Sequence, residues 1–337
     1  MKKIPFTLAL AGLFIISPLT RADAWNNIQV WVGTGTNEAG FEIDWNTNAG
    51  SALVWGYRWN GSATAEQMFD AVAATDPRLY AEISEPTEYG TAVFGLGFHP
   101  SGDQNFPLNP PLGFNSQHLA ETNYDGVDDS RAPVDTGDYW QEGWYTAGYW
   151  SYWTSTDSRW SANSSDWDSS DMAMSSLVLD NGDFDGWSFA YDFNATPPAA
   201  PWAAPVIGLS EYLPFGNEGI NHTATQTLTI RNVGASSLTV NDIAYPPGFS
   251  GSWAGGNIPA GGSQTVTVAF SPTLVQGYGG TVTVSGTITL NSASTSVSNT
   301  FTCSGTGINA VPAMVQIIGS NGFRTVSHKN QHPQPDR

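Results

Sequence analysis

The run WQEGWYTAGYWSYW, residues 140–153, packs seven aromatic side chains into one short stretch. If the run is a strand, successive side chains point to opposite faces, and aromatic rings then occupy both of them. Such a strand is either enclosed in a core, or has one face covered and the other offered to a ligand. Enclosure is the commoner outcome, and a flat aromatic platform for sugars is the functional alternative.

Three segments upstream of this run alternate like half-buried strands, and turn residues separate them. We therefore expect an antiparallel meander with one strongly aromatic side. The stretch 100–138 is rich in Pro, Gly, Asn and Asp, which predicts a long irregular loop of the kind that often carries function. The strand segments are NIQVWVG (27–33), FEIDW (41–45) and LVWGYRW (53–59), with further strands near 93–98, 146–154, 176–179 and 187–191.

One helix is predicted between these strands. Thr64 and Gln67 form a capping box that opens it, and Asp76-Pro77 ends the pattern after residues 65–74. The helix should cover the aromatic side of the meander, so that residues 25–193 form an aromatic-rich α+β domain. Its apolar stripe consists of Met68, Phe69 and Val72.

The chain changes character after a Pro/Ala-rich stretch at 194–205, which predicts a stiff linker. Over residues 206–308, Thr and Val alternate in short segments with Gly, Asn or Pro between them, which is typical of a β-sandwich. The predicted fold class is therefore mainly β, with an α+β domain built on an antiparallel sheet, followed by an immunoglobulin-like β-sandwich. The segments are 226–231, 238–243, 264–270, 280–290 and 296–304.

Residues 206–308 resemble the ASH/Hydin-like immunoglobulin modules of bacterial surface proteins and eukaryotic ciliary proteins. The matching pieces are LTIRNVGASSLTVNDI, IPAGGSQTVTVAFSPT and FTCSGTG. The resemblance implies the fold, and for function it implies only a spacer or interaction module.

The first domain resembles an uncharacterised domain of secreted bacterial proteins that often end in a sorting tail of the PEP-CTERM type. The matching pieces include WVGTGTNEAGFEIDWN, LVWGYRWNGSATAEQMFDAV and DNGDFDGWSF. The resemblance implies no enzymatic residues, because the family has no defined activity to carry over. A sorting motif with an apolar helix and a basic end is not found after Ala310, which argues against sorted display at the surface.

Residues 1–24 have the pattern of a signal peptide, with a basic start, an apolar run and the small-x-small sequence ADA. We expect a secreted or cell-envelope protein whose mature chain begins at Trp25. No later segment is long and apolar enough for a transmembrane segment. The polar tail, residues 309–337, is expected to be disordered.

Charge is distributed unevenly in this chain of net charge −19. Residues 25–193 hold 25 Asp or Glu against four Arg and no Lys. Such an acidic domain repels phosphates and anionic lipid, so nucleic acid is not an expected partner. An extracellular glycan or a surface protein is a possible partner. The single cysteine, Cys303, cannot form a disulfide within the chain and is expected to be a buried, inert thiol.

Two acidic turns, NYDGVDD and DNGDFDG, gather oxygen atoms around glycines, which is the chemistry that calcium prefers. Neither turn completes an EF-hand loop, and acidic turns without metal are common. Calcium is therefore a possible cofactor, and no other cofactor is predicted. His99 and His118, with Asp103 or Asp125, are a less specific arrangement for a transition metal. The calcium ligands would be Asn123, Asp125, Asp128, Asp129, Asp180, Asp183 and Asp185.

We predict an exported, non-catalytic binding or adhesion protein, with a glycan as a possible ligand. The alternatives are a secreted glycan hydrolase and a purely structural surface protein. A hydrolase would need two opposed carboxylates, for which Asp44 and Glu142 beside aromatic strands are our choice. No catalytic residue is assigned for the binding hypothesis. Its aromatic platform would consist of Trp144, Trp150, Trp153, Trp160 and Trp167.

Overall fold

The structure is a computed structural model that describes residues 25, 28–47, 52–87, 90–100, 106–135, 137–156, 167–209, 212–290 and 293–309. The expected signal peptide, nearly all of the expected disordered tail, Asp103 and Trp160 lie outside the described residues. The chain is mainly β, as its alternating segments predict. No helix within the described ranges is both long and apolar enough to cross a bilayer.

The first half of the chain forms thirteen strands and one α-helix within the described residues. They are β1 (Trp31–Gly33), β2 (Asn37–Asp44), β3 (Ala52–Trp59), α1 (Ala65–Thr75), β4 (Leu79–Ser84), β5 (Val93–Phe98), β6 (Leu108–Asn109), β7 (Leu119–Thr122), β8 (Ala132–Pro133), β9 (Tyr139–Glu142), β10 (Gly148–Ser155), β11 (Asp168–Ser169), β12 (Phe184–Tyr191) and β13 (Trp202–Ala203).

A larger sheet has the strand order β1-β3-β2-β12-β10-β11, with β13 beside β3, and a smaller sheet has the order β7-β4-β5-β9. The prediction of an antiparallel meander is only partly correct. β2 and β3 are antiparallel, but β1 joins β3 in parallel and β12 joins β2 in parallel. The larger sheet is mixed because strands distant in sequence add to both sides of the β2–β3 hairpin. The strand predicted at 176–179 is absent, and Val178 makes only an isolated bridge to Thr64.

The first core lies between these two sheets and against α1. Strand alternation points Phe41 and Ile43 of β2 into it, and Leu96 of β5 enters from the smaller sheet. The helix contributes its stripe of Met68, Phe69 and Val72, as predicted. The predicted capping box also forms, with the Thr64 side chain accepting from the Gln67 backbone N–H at 3.3 Å.

The stretch 194–205, for which the composition predicted a stiff linker, packs on the larger sheet. The backbone N–H of Ala199 donates to Asp44 at 2.9 Å, and Trp202–Ala203 is a strand beside β3. Ala204 is fully buried in the first core. Proline favours an extended backbone, and small alanine side chains let that backbone approach the sheet closely.

The second half forms a β-sandwich. Its strands are β14 (Ile207–Leu209), β15 (Tyr212–Gly219), β16 (Ala224–Asn232), β17 (Leu238–Ala244), β18 (Phe249–Gly251), β19 (Gly256–Ile258), β20 (Ser263–Phe270), β21 (Gly277–Leu290) and β22 (Ala293–Ile308). The four-stranded sheet has the order β14-β16-β20-β18 and the five-stranded sheet the order β15-β22-β21-β17-β19. Alternate residues of both sheets form a second core. Cys303 is a buried free thiol within this core, and burial raises its pKa to about 11.

Candidate functional site

The outer face of the smaller sheet brings together two motifs of the sequence, the acidic turn NYDGVDD and the aromatic run. Across strands β4, β5 and β9, Glu82, Gly95 and Glu142 lie in one row. Gly95 has no side chain to separate the two glutamates, and a Cβ there would lie 2.5 Å from the Trp140 ring. The two carboxyl groups can therefore meet above the sheet.

Arg131 lies over this carboxyl pair and binds both members. Its Nη1 is 2.5 Å from Glu142 Oε1 and 3.3 Å from both oxygens of Glu82. Its Nη2 donates to the Gly126 carbonyl at 3.1 Å. Both glutamate side chains are fully buried, and Arg131 is 11% exposed. The guanidinium thus fixes the loop that follows β7 to the strands beneath it.

Glu142 is mostly protonated at neutral pH, because burial, and next the Glu82 carboxylate, raise its pKa to about 8. With Glu142 protonated, the charge that remains in the row is balanced by Arg131. The row is therefore close to electrically neutral, which is the condition for burying ionisable groups at low cost.

Asp129, two residues before Arg131, fixes the same loop to the segment 144–147; we call this loop the acidic loop (residues 123–131). Its carboxylate accepts the backbone N–H groups of Trp144 at 3.1 Å, Tyr145 at 3.2 Å and Ala147 at 2.8 Å, and also those of Thr146. Partial burial opposes ionisation, but the hydrogen bonds from Ala147 and Thr146 hold the pKa of Asp129 below its usual value. The acidic loop and the segment 144–147 therefore form one rigid unit.

An open cleft of about 530 Å³ lies between the acidic loop and that segment. Tyr145 is 52% exposed at its rim, and its hydroxyl donates to the Tyr124 carbonyl at 2.9 Å. Behind Tyr145, Trp144 packs against the Tyr124 ring at 5.1 Å. The cleft thus offers carboxylates, backbone groups and one exposed aromatic ring. Its lining residues are Asp125, Gly126, Val127, Asp128, Asp129, Ser130, Arg131, Tyr145 and Thr146.

Of the five tryptophans predicted as an aromatic platform, the four that the structure describes do not lie on one surface. Trp150 is 4% exposed in the first core, and Trp167 is 5% exposed on the opposite side of the larger sheet. Trp153 is half-buried beside Trp167, and Trp144 is half-buried behind the cleft. The separation follows from strand geometry, because even and odd positions of β10 face opposite ways.

The proposed hydrolase pair of Asp44 and Glu142 is also wrong as a pair. Glu142 lies on the outer face of the smaller sheet, and Asp44 lies on the outer face of the larger sheet, with the first core between them. Asp44 accepts the backbone N–H groups of Asn46 at 2.8 Å and Ala199 at 2.9 Å. The true neighbour of Glu142 is Glu82, which the sequence analysis missed together with Arg131. The cross-strand pairing of β4, β5 and β9 was the signal required to find them.

Four of the predicted metal ligands, Asp129 among them, accept hydrogen bonds from other groups of the protein. Within the described parts of the chain, no group of three or more His, Cys, Asp or Glu side chains is arranged to hold a metal ion. Asp128 accepts from the Ser130 backbone and hydroxyl, and Asp183 accepts from the Asp180 backbone N–H at 2.7 Å. Asp185 instead accepts from the Tyr152 hydroxyl at 2.7 Å.

The two histidines considered for a transition metal also have other contacts. His99 is buried, and its Nδ1 lies 2.7 Å from Asp138. His118 packs on the Tyr80 ring at 4.7 Å, and burial lowers its pKa.

Replacing Asp129 with alanine should release the segment 144–147. Four backbone N–H groups would lose their acceptor, so we expect hydrogen exchange of these amides to accelerate at least about tenfold, as local opening becomes easier. Asp128→Ala is the matched control, because Asp128 accepts only within its own turn, from Ser130. Equal exchange of these amides in both variants would contradict the anchoring role of Asp129.

Comparison with known protein families identifies the second half. Residues 205–306 match the family model described as HYDIN/CFA65/VesB-like, Ig-like domain. The second half is therefore similar to this family of Ig-like domains. This agrees with the resemblance carried by its sequence motifs and with the observed sandwich. No curated protein matches the chain.

Several solved structures are similar to parts of the chain. The ASH/PapD-like domain 7 of human CEP192 is 18% identical with a TM-score of 0.28, over 32% of this chain and 87% of that one. The VesB protease of Vibrio cholerae is 18% identical with a TM-score of 0.25, over 30% of this chain and 32% of that one. A protein of unknown function from Porphyromonas gingivalis W83 is 16% identical with a TM-score of 0.22, over 69% and 97%. These likenesses carry no functional argument.

Proposed function

We propose that this is an exported, non-catalytic binding protein that recognises a glycan at the cleft beside the acidic loop. The observation that carries the proposal is the double anchoring of that loop. Asp129 fixes one wall through four backbone N–H groups, and the Arg131 clamp fixes its base. Groups held in place before binding lose little entropy on binding, which favours a recognition role for an exposed loop.

The chemistry of the cleft suits a hydroxyl-rich ligand. Asp125 is exposed at one side and offers carboxylate oxygens as acceptors, while the Tyr145 ring offers an apolar face. A small number of fixed polar groups beside an aromatic ring is the usual composition of a small-ligand site. In this proposal the ASH-type domain serves as a spacer or interaction module, and residues 1–24 direct export.

The hydrolase alternative would draw on Glu82 and Glu142, because a carboxyl with a raised pKa is the mark of a general acid. Glycosidase carboxyls stand about 5–9.5 Å apart so that the sugar or a water molecule fits between them. Here one nitrogen of Arg131, Nη1, binds both carboxyls, at 2.5 Å from Glu142 and 3.3 Å from Glu82, so both are already engaged within the protein. We therefore favour a structural role for this pair and a binding role for the cleft above it.

The proposal predicts that Tyr145→Ala weakens glycan binding about tenfold or more, which corresponds to about 1.4 kcal/mol. Binding of an immobilised glycan panel, followed by calorimetry on the best ligand, measures this. Tyr212→Ala is the matched control, because Tyr212 is a comparably exposed tyrosine on the second half, 48% against 52%. If no glycan binds to the wild-type protein, or if both variants bind equally, the proposed function is wrong. Release of shortened glycan would instead favour the hydrolase.

A further inference from the structure

An exposed aromatic surface lies just after the end of β12. Phe193 is 52% exposed, and its ring stacks on Tyr149 at 6.0 Å with an angle of 26° between the ring planes. Two nearly parallel rings, one of them largely exposed, form a flat apolar patch. We call the Tyr149–Phe193 pair the aromatic shelf.

The backbone that presents Phe193 is strained. Asp192 and Phe193 have φ angles of 51° and 59°, which are consecutive left-handed conformations of residues other than glycine. A bulky residue rarely adopts this conformation, and it costs free energy. Burial does not compensate for the strain, because the Phe193 side chain remains half exposed. Strain that is retained in order to expose a ring is typical of a binding site.

Ala147 links the segment beside the cleft to the turn that carries Phe193. The Ala147 backbone N–H donates to Asp129 at 2.8 Å, and the Ala147 carbonyl accepts from the Asp192 N–H at 3.3 Å. The same peptide segment that Asp129 fixes therefore also fixes the turn that carries Phe193. A ligand seated in the cleft would reach the aromatic shelf by extending past Thr146 and Ala147.

The charge of the surface formed by the cleft and the aromatic shelf indicates which class of ligand can bind. Asp125, Asp128, Asp129 and Asp192 all belong to it, whereas Arg131 is engaged by Glu82 and Glu142. Together these carboxylates repel an anionic ligand, and the exposed Asp125 and Asp192 can accept hydrogen bonds from hydroxyl groups. An uncharged saccharide meets both conditions, since its hydroxyl groups donate and its ring faces are apolar.

Resting on the proposed glycan binding, we infer that the aromatic shelf is a second subsite, which holds a further sugar ring of an uncharged oligosaccharide whose first ring occupies the cleft. The affinity should then rise with the length of the oligosaccharide. It should also depend on the Phe193 ring only for ligands long enough to span both subsites.

The test compares neutral oligosaccharides of one to six sugars with oligogalacturonates of the same lengths, using calorimetry on the full chain. The variant Phe193→Gly removes the ring, and glycine adopts positive φ without strain, so the fold should be retained. We expect it to weaken binding of the longer neutral ligands about tenfold, to leave monosaccharide binding unchanged, and to be rescued by Phe193→Trp. Leu274→Ala, at an exposed apolar residue of the second half, is the control.

The outcomes separate the two proposals. If Tyr145→Ala weakens every ligand and Phe193→Gly weakens none, the aromatic shelf is not a subsite and the proposed function stands. If oligogalacturonates bind and neutral ligands do not, the ligand class inferred here is wrong although the protein still binds glycans. If no saccharide binds to the wild-type protein, both proposals fail.

Discussion

Replacing Arg78 with methionine should lower the free energy of unfolding by about 3–5 kcal/mol, the usual cost of breaking a buried ion pair from one side. Arg78 is fully buried, with Nε and Nη2 donating to the two oxygens of Asp76 at 2.8 and 2.7 Å. Its Nη1 donates to the Pro205 carbonyl at 2.6 Å. Without the guanidinium, the Asp76 carboxylate would remain buried with Trp55 as its main donor, at 2.8 Å.

Denaturation by urea, followed by tryptophan fluorescence, measures this loss. Arg58→Met is the matched control, because Arg58 also pairs with a carboxylate, Glu38, at 2.9 Å but is 27% exposed. A partly exposed pair of this kind contributes about 0–1 kcal/mol, so the control variant should remain close to wild type. Equal losses in the two variants would show that burial of the Asp76–Arg78 pair adds nothing to stability.

Stability should fall as the pH rises from about 5 to about 8.5. Burial raises the pKa of Glu142 to about 8 and of Asp185 to about 7, and it raises that of Glu42 well above its usual value. In the unfolded chain these carboxyls ionise near pH 4. Between those limits the folded state binds more protons than the unfolded state, so each rise in pH favours unfolding. The pKa of Asp76 is lowered, so its contribution is lost only in more acidic solution.

Glu42 provides the sharpest test of this pH dependence. It is completely buried between Val54 and Gly186 in the larger sheet, and within the described residues neither carboxyl oxygen has a hydrogen-bond partner. Glu42→Gln removes the ionisation with little change in shape. We expect the variant to be close to wild type in stability near pH 5. At higher pH it should become progressively more stable than wild type, by up to about 1.4 kcal/mol per pH unit, as long as Glu42 is ionised in the unfolded state and protonated in the folded state.

The control for Glu42→Gln is Glu85→Gln, at an exposed position just after β4. Its stability should follow that of wild type at every pH, because the exposed carboxylate is hydrated in both states. Urea unfolding at pH 5, 7 and 8.5 provides the comparison. A constant difference between wild type and Glu42→Gln across these pH values would contradict the assignment of a buried, neutral carboxyl.

Local sequence patterns were sufficient to predict much of the fold. The capping box at Thr64 and the stripe of Met68, Phe69 and Val72 located α1, because both signals lie within a few residues of chain. The alternating Thr and Val of the second half likewise located the long strands of the sandwich. The order of strands in the larger sheet could not be found in this way. The parallel neighbours β2 and β12 are separated by more than a hundred residues, and no local pattern encodes their pairing.

The candidate site shows the same limit more sharply. Glu142 was selected as a carboxylate beside aromatic residues, but its partner was taken to be Asp44. The two residues lie on the outer faces of two different sheets, and the first core lies between those sheets. Glu82 is 60 residues before Glu142, and the two meet only because the residue between them in the row across β4, β5 and β9 is Gly95, which has no side chain.

The sequence by itself determined the mainly β class, the helix, the sandwich of the second half and the burial of Cys303. These follow from the periods of side-chain orientation, which act over a few residues. Only the tertiary structure decided which rings are exposed and which carboxyls have a raised pKa. An aromatic side chain has the same local pattern whether another sheet covers it or water does, and a carboxyl acquires a raised pKa only from the burial and charge that distant segments bring to it.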